Sequence, residues 1–180
     1  MASLEFPSHF SGDTRPPLTS DAIECVAAMA HFAIASTEAG KLGHVKLNRI
    51  LWYSDLEYYR WHGVSLTGLQ QYSRMPQGPI SSDISRAVGR LVKAAKVAER
   101  TAQVDGFARR EIVSLEDPDR SMIDNEQADI LDQITKIIAP LTANQLGKLI
   151  QDDRLWQQVA TGQPMSVATG SVMSLPLRSN

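Results

Sequence analysis

The chain has 180 residues, of which 43% are hydrophobic and 21% charged, with a formal net charge of −2. Those values suit one domain with a sizeable core and exclude wholesale disorder. The near-neutral balance gives no electrostatic footprint for nucleic acid. One cysteine, Cys25, excludes an internal disulfide and fits a reducing compartment. No apolar run reaches the roughly 20 residues of a membrane span. The start, MASLEFPSHFSGD, lacks the basic and apolar regions of a secretory signal. A cytoplasmic protein is expected, with no membrane and no nucleic acid among its partners.

Residues 1–17, with Pro7, Gly12, Pro16 and Pro17, read as an N-terminal arm. The domain proper is expected over 18–164 and a tail over 165–180. A first helix should open near Asp21, with Asp21 and Glu24 as a capping pair and Gly40 as its C-terminal cap. Ile23, Val26, Ala27, Ala30 and Ile34 supply its slim apolar face. Cys25 and His31, six residues apart, point to opposite sides and share no metal without other ligands.

The stretch Val45–Gly63, VKLNRILWYSDLEYYRWHG, is expected to be the central helix. At 100° per residue, Leu47, Ile50, Leu51, Ser54, Tyr58 and Trp61 form one broad face. Asn48, Trp52 and Tyr59 form a strip beside it, and Arg49, Tyr53, Glu57 and Arg60 the only polar stripe. A helix apolar over most of its girth sits inside. Asp55 falls between the core face and the aromatic strip, where a charge is costly unless paired or hydrogen-bonded. It reads either as an acid/base group of raised pKa or, favoured here, as a carboxylate fixing a neighbouring loop through backbone N–H groups or an arginine such as Arg74.

Gly63 and Gly68 bracket a turn, and Leu69–Met75 alternates weakly. Gln77–Pro79 should form a rigid extended bend. A helix from about Ser82 to Ala95, capped by Ser81 or Ser82, carries Arg86, Arg90, Lys93 and Lys96 off its core face. Across 97–115 the period turns near-alternating around Asp105-Gly106, a hairpin signal, which Leu69–Met75 could extend to three strands. Helices follow at about Asn125–Ala139, stopped by Pro140, and at Thr142–Ile150. Trp156 should dock on the domain, and loose or partly extended structure is expected from Gly162 onward. The fold class is α+β, one mostly helical domain around a buried central helix, with a small antiparallel hairpin or three-stranded sheet.

Enzyme templates are missing. There is no G-x-G-x-x-G, no G-x-x-x-x-G-K-[ST], no H-E-x-x-H and no G-x-S-x-G, and the four histidines are scattered. No catalytic, metal or cofactor site is expected, and a binding protein is favoured over an enzyme. The alternative is an unrecognised hydrolase or nucleotide-binding enzyme using Asp55 with Arg49 or Arg74.

The stretch Asn48-Arg49-Ile50-Leu51-Trp52-Tyr53-Ser54-Asp55, then Gly63, Leu66-Thr67-Gly68 and Gly78-Pro79-Ile80, resembles the signature of the Panacea domain family. That family includes SocA-like antitoxins and phage-associated GepA-like proteins. Arg49 stands where the family commonly has lysine, Trp52 where it often has tyrosine, and Gln77 in place of the usual aromatic. The resemblance implies a toxin–antitoxin system in which the chain neutralises a neighbouring protein toxin by direct binding. For one branch it implies an adaptor that hands the toxin to a AAA+ protease. Asp55, Gly63, Gly78 and Pro79 are then structural motif residues. Arg49, Trp52, Tyr53, Tyr59, Arg60 and Tyr72 are the candidate partner-binding residues, since Trp, Tyr and Arg dominate interface energetics. Tyr53 is the one expected to be least needed by the core.

Overall fold

A computed structural model describes residues 18–177; the proposed arm over 1–17 lies outside them. Everything is arranged around α2 (His44–His62). Leu47, Ile50, Leu51 and Leu56 are inaccessible to solvent, and every residue from 47 to 57 is buried. The helix is central, as its girth of apolar residues predicts. Gly63 ends it in the left-handed conformation (φ +68°), its N–H bonded to Tyr59 O, a geometry glycine adopts without a Cβ penalty.

α1 (Ser20–Ala35) lies against it with Ile23, Val26, Ala30 and Ile34 inward. The expected caps are corrected at both ends. Thr19 accepts the Ala22 N–H, Ser36 closes the helix, and Gly40 (φ +86°) belongs to the following loop. α3 (Ser82–Lys93) opens on Ser81, which accepts from Asp83 N. α4 (Asn125–Ile138) and α5 (Ala143–Gln151) open on full capping boxes, Asp124 with Gln127 and Thr142 with Gln145. The short α6 (Arg154–Gln158) buries Leu155 and Trp156.

Among the described residues there are two sheets. β3 (Val97–Val104) and β4 (Phe107–Ser114) form the hairpin that Asp105-Gly106 signals, both turn residues having positive φ. The three-stranded extension is corrected. β1 (Gln71–Met75) pairs with β2 (Gly78–Ile80) on one side and β5 (Pro164–Ser166) on the other, not with the hairpin. Alternation within one strand does not say which edge it will meet.

From Gly162 the expectation of loose or partly extended structure holds only for a short strand, and the helix after it is a correction. β5 and α7 (Val167–Met173) close over α2. Met165 and Val167 enter the core. Gly170 passes so close that a Cβ there would stand 2.7 Å from Leu56 Cδ2 and 3.0 Å from Trp52 Cζ2.

Candidate functional site

Three polar side chains of α2 fasten the segment that follows it. Asn48 Oδ1 accepts the Ser81 N–H (2.9 Å), while its amide donates to His44 O. Arg49 donates from Nη2 to Gln77 O and from Nη1 to Leu146 O, both at 2.7 Å. Asp55 accepts from Thr67 N (2.7 Å), Thr67 Oγ1 (2.8 Å) and Tyr72 Oη (2.7 Å). Thr67 Oγ1 in turn accepts the Leu69 N–H. One helix thereby fixes the 67–69 turn, the β1–β2 turn and the cap of α3.

The same geometry explains Gly78-Pro79. Gly78 has φ +139°, a region closed to most L-residues, and a Cβ there would lie 2.9 Å from Arg49 Nε. Arg49 and Gly78 are therefore one device, the guanidinium lying against the turn backbone. Burial lowers the Arg49 pKa, and its Nε is buried without a partner. Pro79, buried in β2, pairs with Arg74 across the ladder.

Asp55 has no solvent exposure and no basic side chain among its hydrogen-bond partners. Burial pushes its carboxyl up to about 7, against the lowering effect of the donors from Thr67, Tyr72 and Leu66. It fixes a loop through a backbone N–H, as expected, but the arginine alternative is corrected. Arg74 donates instead to Trp156 O and Thr161 Oγ1 and stacks over the Trp156 ring, 4.2 Å from its centroid. Arg49 is committed to two carbonyls. The pairing of Asp55 with either arginine, on which the enzyme alternative rests, is not assembled.

The stripe Arg49, Tyr53, Glu57 and Arg60 was expected to be an outer face. Arg49, Tyr53 and Glu57 are instead buried, with α5 and α7 reaching the stripe through Leu146 O and Ser171 O. Tyr53, expected to be dispensable to the core, is 4% exposed, and burial raises its pKa. Trp52 and Tyr72 are core, meeting edge to face at 5.0 Å. Arg60 Nη1 meets Glu57 Oε2 at 2.7 Å, while its Nε and Nη2 hold Ser171 O and Ser174 O. Of the six candidate partner-binding residues, only Tyr59 and Arg60 are partly exposed.

One residue moves the other way. Trp61, placed on the core face by periodicity, is 66% exposed. Helical phase gives direction but not where the core stops, and Trp61 lies in the last turn, where burial of the helix has already ended. Its nearness to Gly63 was the available signal. On α3, Arg86 meets Asp83 and Arg90 meets Glu24, so half of the basic stripe is engaged; Lys93 is exposed, and Lys96, just past the helix, is half-buried.

Among the described residues no helix is long and apolar enough to cross a membrane, and no group of three or more His, Cys, Asp or Glu is placed to hold a metal. The site is thus a scaffold in which one helix positions the turns around it. The family model described as Antitoxin SocA-like, Panacea domain, matches residues 47–157, from the start of that helix to α6. The chain belongs to this antitoxin-like family. No curated protein and no solved structure matches it.

Proposed function

We propose that this protein is the antitoxin of a toxin–antitoxin system and neutralises a protein toxin by direct binding in the cytoplasm. The observation that carries this reading is the family match over residues 47–157. It is supported by the rigid way α2 holds the turns at Thr67 and Gln77, because a preorganised surface loses less entropy on binding. Arg49, Trp52, Tyr53 and Tyr72 serve binding by building that scaffold, whereas Tyr59 and Arg60 reach its surface. Neutralisation acts either by occlusion of the toxin or by its delivery to a AAA+ protease.

The test is co-expression with the adjacent reading frame. Growth arrest by that frame alone, relieved by this chain, is the expected result. A toxin that stays abundant but inactive indicates occlusion, and one whose half-life collapses indicates delivery. An adjacent product that is harmless, or that remains toxic in the presence of this chain, overturns the reading.

A further inference from the structure

The last turn of α2 ends between two other elements. Arg60 bonds Ser171 O and Ser174 O at the end of α7, while His62 Nε2 meets Glu126 Oε1 at 3.1 Å at the start of α4. Trp61 lies between those two anchors. It is 66% exposed and Val64, just beyond, is 56% exposed. On the α7 side stand Val172 and Leu175, at 82% and 70%. Four exposed large apolar side chains thus lie on the segments that the Arg60 bonds bring together.

Among the described residues, the exposed charged side chains on the first turns of α4 are all acidic. Asp124, Glu126 and Asp129 are exposed on the first turns of α4. Of its neighbours, Arg60 is engaged by Glu57 and two carbonyls, and His62 Nε2 meets Glu126. α7 carries no charged residue. The exposed Lys93 belongs to α3, a different element, and the half-buried Lys96 follows it. A tryptophan centre with an acidic rim matches a partner with an apolar centre and a basic rim.

We propose that the Trp61 junction is the toxin-docking surface and that the toxin presents to it an apolar patch edged with lysine and arginine. This rests on the antitoxin reading and adds to it a location and a partner chemistry. Trp61 supplies the buried anchor, Val64, Val172 and Leu175 its apolar surround, and Glu126 with Asp129 the charges that orient the approach.

The test measures binding of the purified product of the adjacent reading frame to the full chain. Trp61→Ala should weaken the complex by about 30-fold or more, the size of a hot-spot loss. Glu126→Lys combined with Asp129→Lys should slow association several-fold and flatten its dependence on salt. Phe107→Ala, at the 78%-exposed tip of the hairpin, should bind within about twofold of wild type. Each variant should melt with the wild-type protein. Wild-type binding that survives both the Trp61→Ala and the double lysine change overturns the surface and leaves the antitoxin reading standing. Wild-type protein that does not bind the product overturns both. A wild-type dimer that Trp61→Ala makes monomeric identifies the occupant as a second copy and overturns the toxin assignment.

Discussion

The middle and the end of α2 invert the usual rule. In the middle, Asn48, Arg49, Asp55 and Glu57 are buried and meet carbonyls, amide groups or other side chains of the chain itself. In the last turn, Trp61 stands largely in water. Polar chemistry in the middle of this helix is therefore structural, and the docking surface proposed above lies at its exposed end. Buried polar groups must be satisfied, so they report the fold; an exposed apolar cluster has no such obligation to the fold.

The largest expected effect lies in the middle. Tyr53→Ala empties a site that is 4% exposed and should cost about 3–5 kcal/mol of unfolding free energy in urea, as for other buried aromatics. A midpoint unchanged from wild type would break the comparison at its strongest point. Asp55→Ala leaves the Thr67 N–H and two hydroxyl donors without their acceptor. It should cost about 3 kcal/mol or more, read by the same titration.

Asp55 also sets a pH dependence. Its folded pKa, about 7, lies above its ordinary 3.8, so between those values the folded state holds a proton that the unfolded state has lost. Stability from this group is full below about pH 4, falls as pH rises towards 7 and then levels. The total is of the order of 4 kcal/mol. Comparing the pH–stability curves of wild type and Asp55→Asn isolates it. A difference between the two curves that is flat from pH 4 to 7 would show that the hydrogen bonds offset the burial completely.

Gly78→Val forces a branched side chain into φ +139° and against Arg49 Nε, with an expected loss of about 1–3 kcal/mol. Pairing it with Arg49→Ala in a double-mutant cycle sharpens the point, because the two costs should not add. The smallest effect belongs to the end of the helix, where Trp61→Ala should change stability by no more than about 0.5 kcal/mol. A large loss there would make Trp61 core and remove the contrast.

Local patterns were legible in the sequence. The girth of α2, Ser81 and Thr142 as caps, the Asp105-Gly106 turn and the stop at Pro140 are each written in a few neighbouring residues. The misread features depend on what arrives from elsewhere. The Arg49, Tyr53, Glu57 and Arg60 spacing is that of a solvated stripe, and only the carbonyls of Leu146, Ser171 and Ser174 make it interior. The α7 sequence VATGSVM has poor intrinsic helix propensity, with glycine, threonine and two valines. It is helical where Gly170 fits against Trp52 and Arg60 holds its last carbonyls. Asp55 was placed correctly against a loop backbone, but its tyrosine partner depends on the path β1 takes, which no local pattern fixes.

The pairing of Tyr72 with Met165 has a consequence for synthesis. The ribosome makes β1 and β2 early, and the strand that completes their sheet emerges only after α6. Until then Trp52 and Leu56 lack the cover of Gly170, and one edge of β1 is unpaired. Such late, non-local closure is slow and leaves a sticky intermediate. A nascent chain that has reached residue 157 already contains the whole family-matching segment, yet its sheet is still open. The sheet must wait for β5, and the cover of Trp52 for α7.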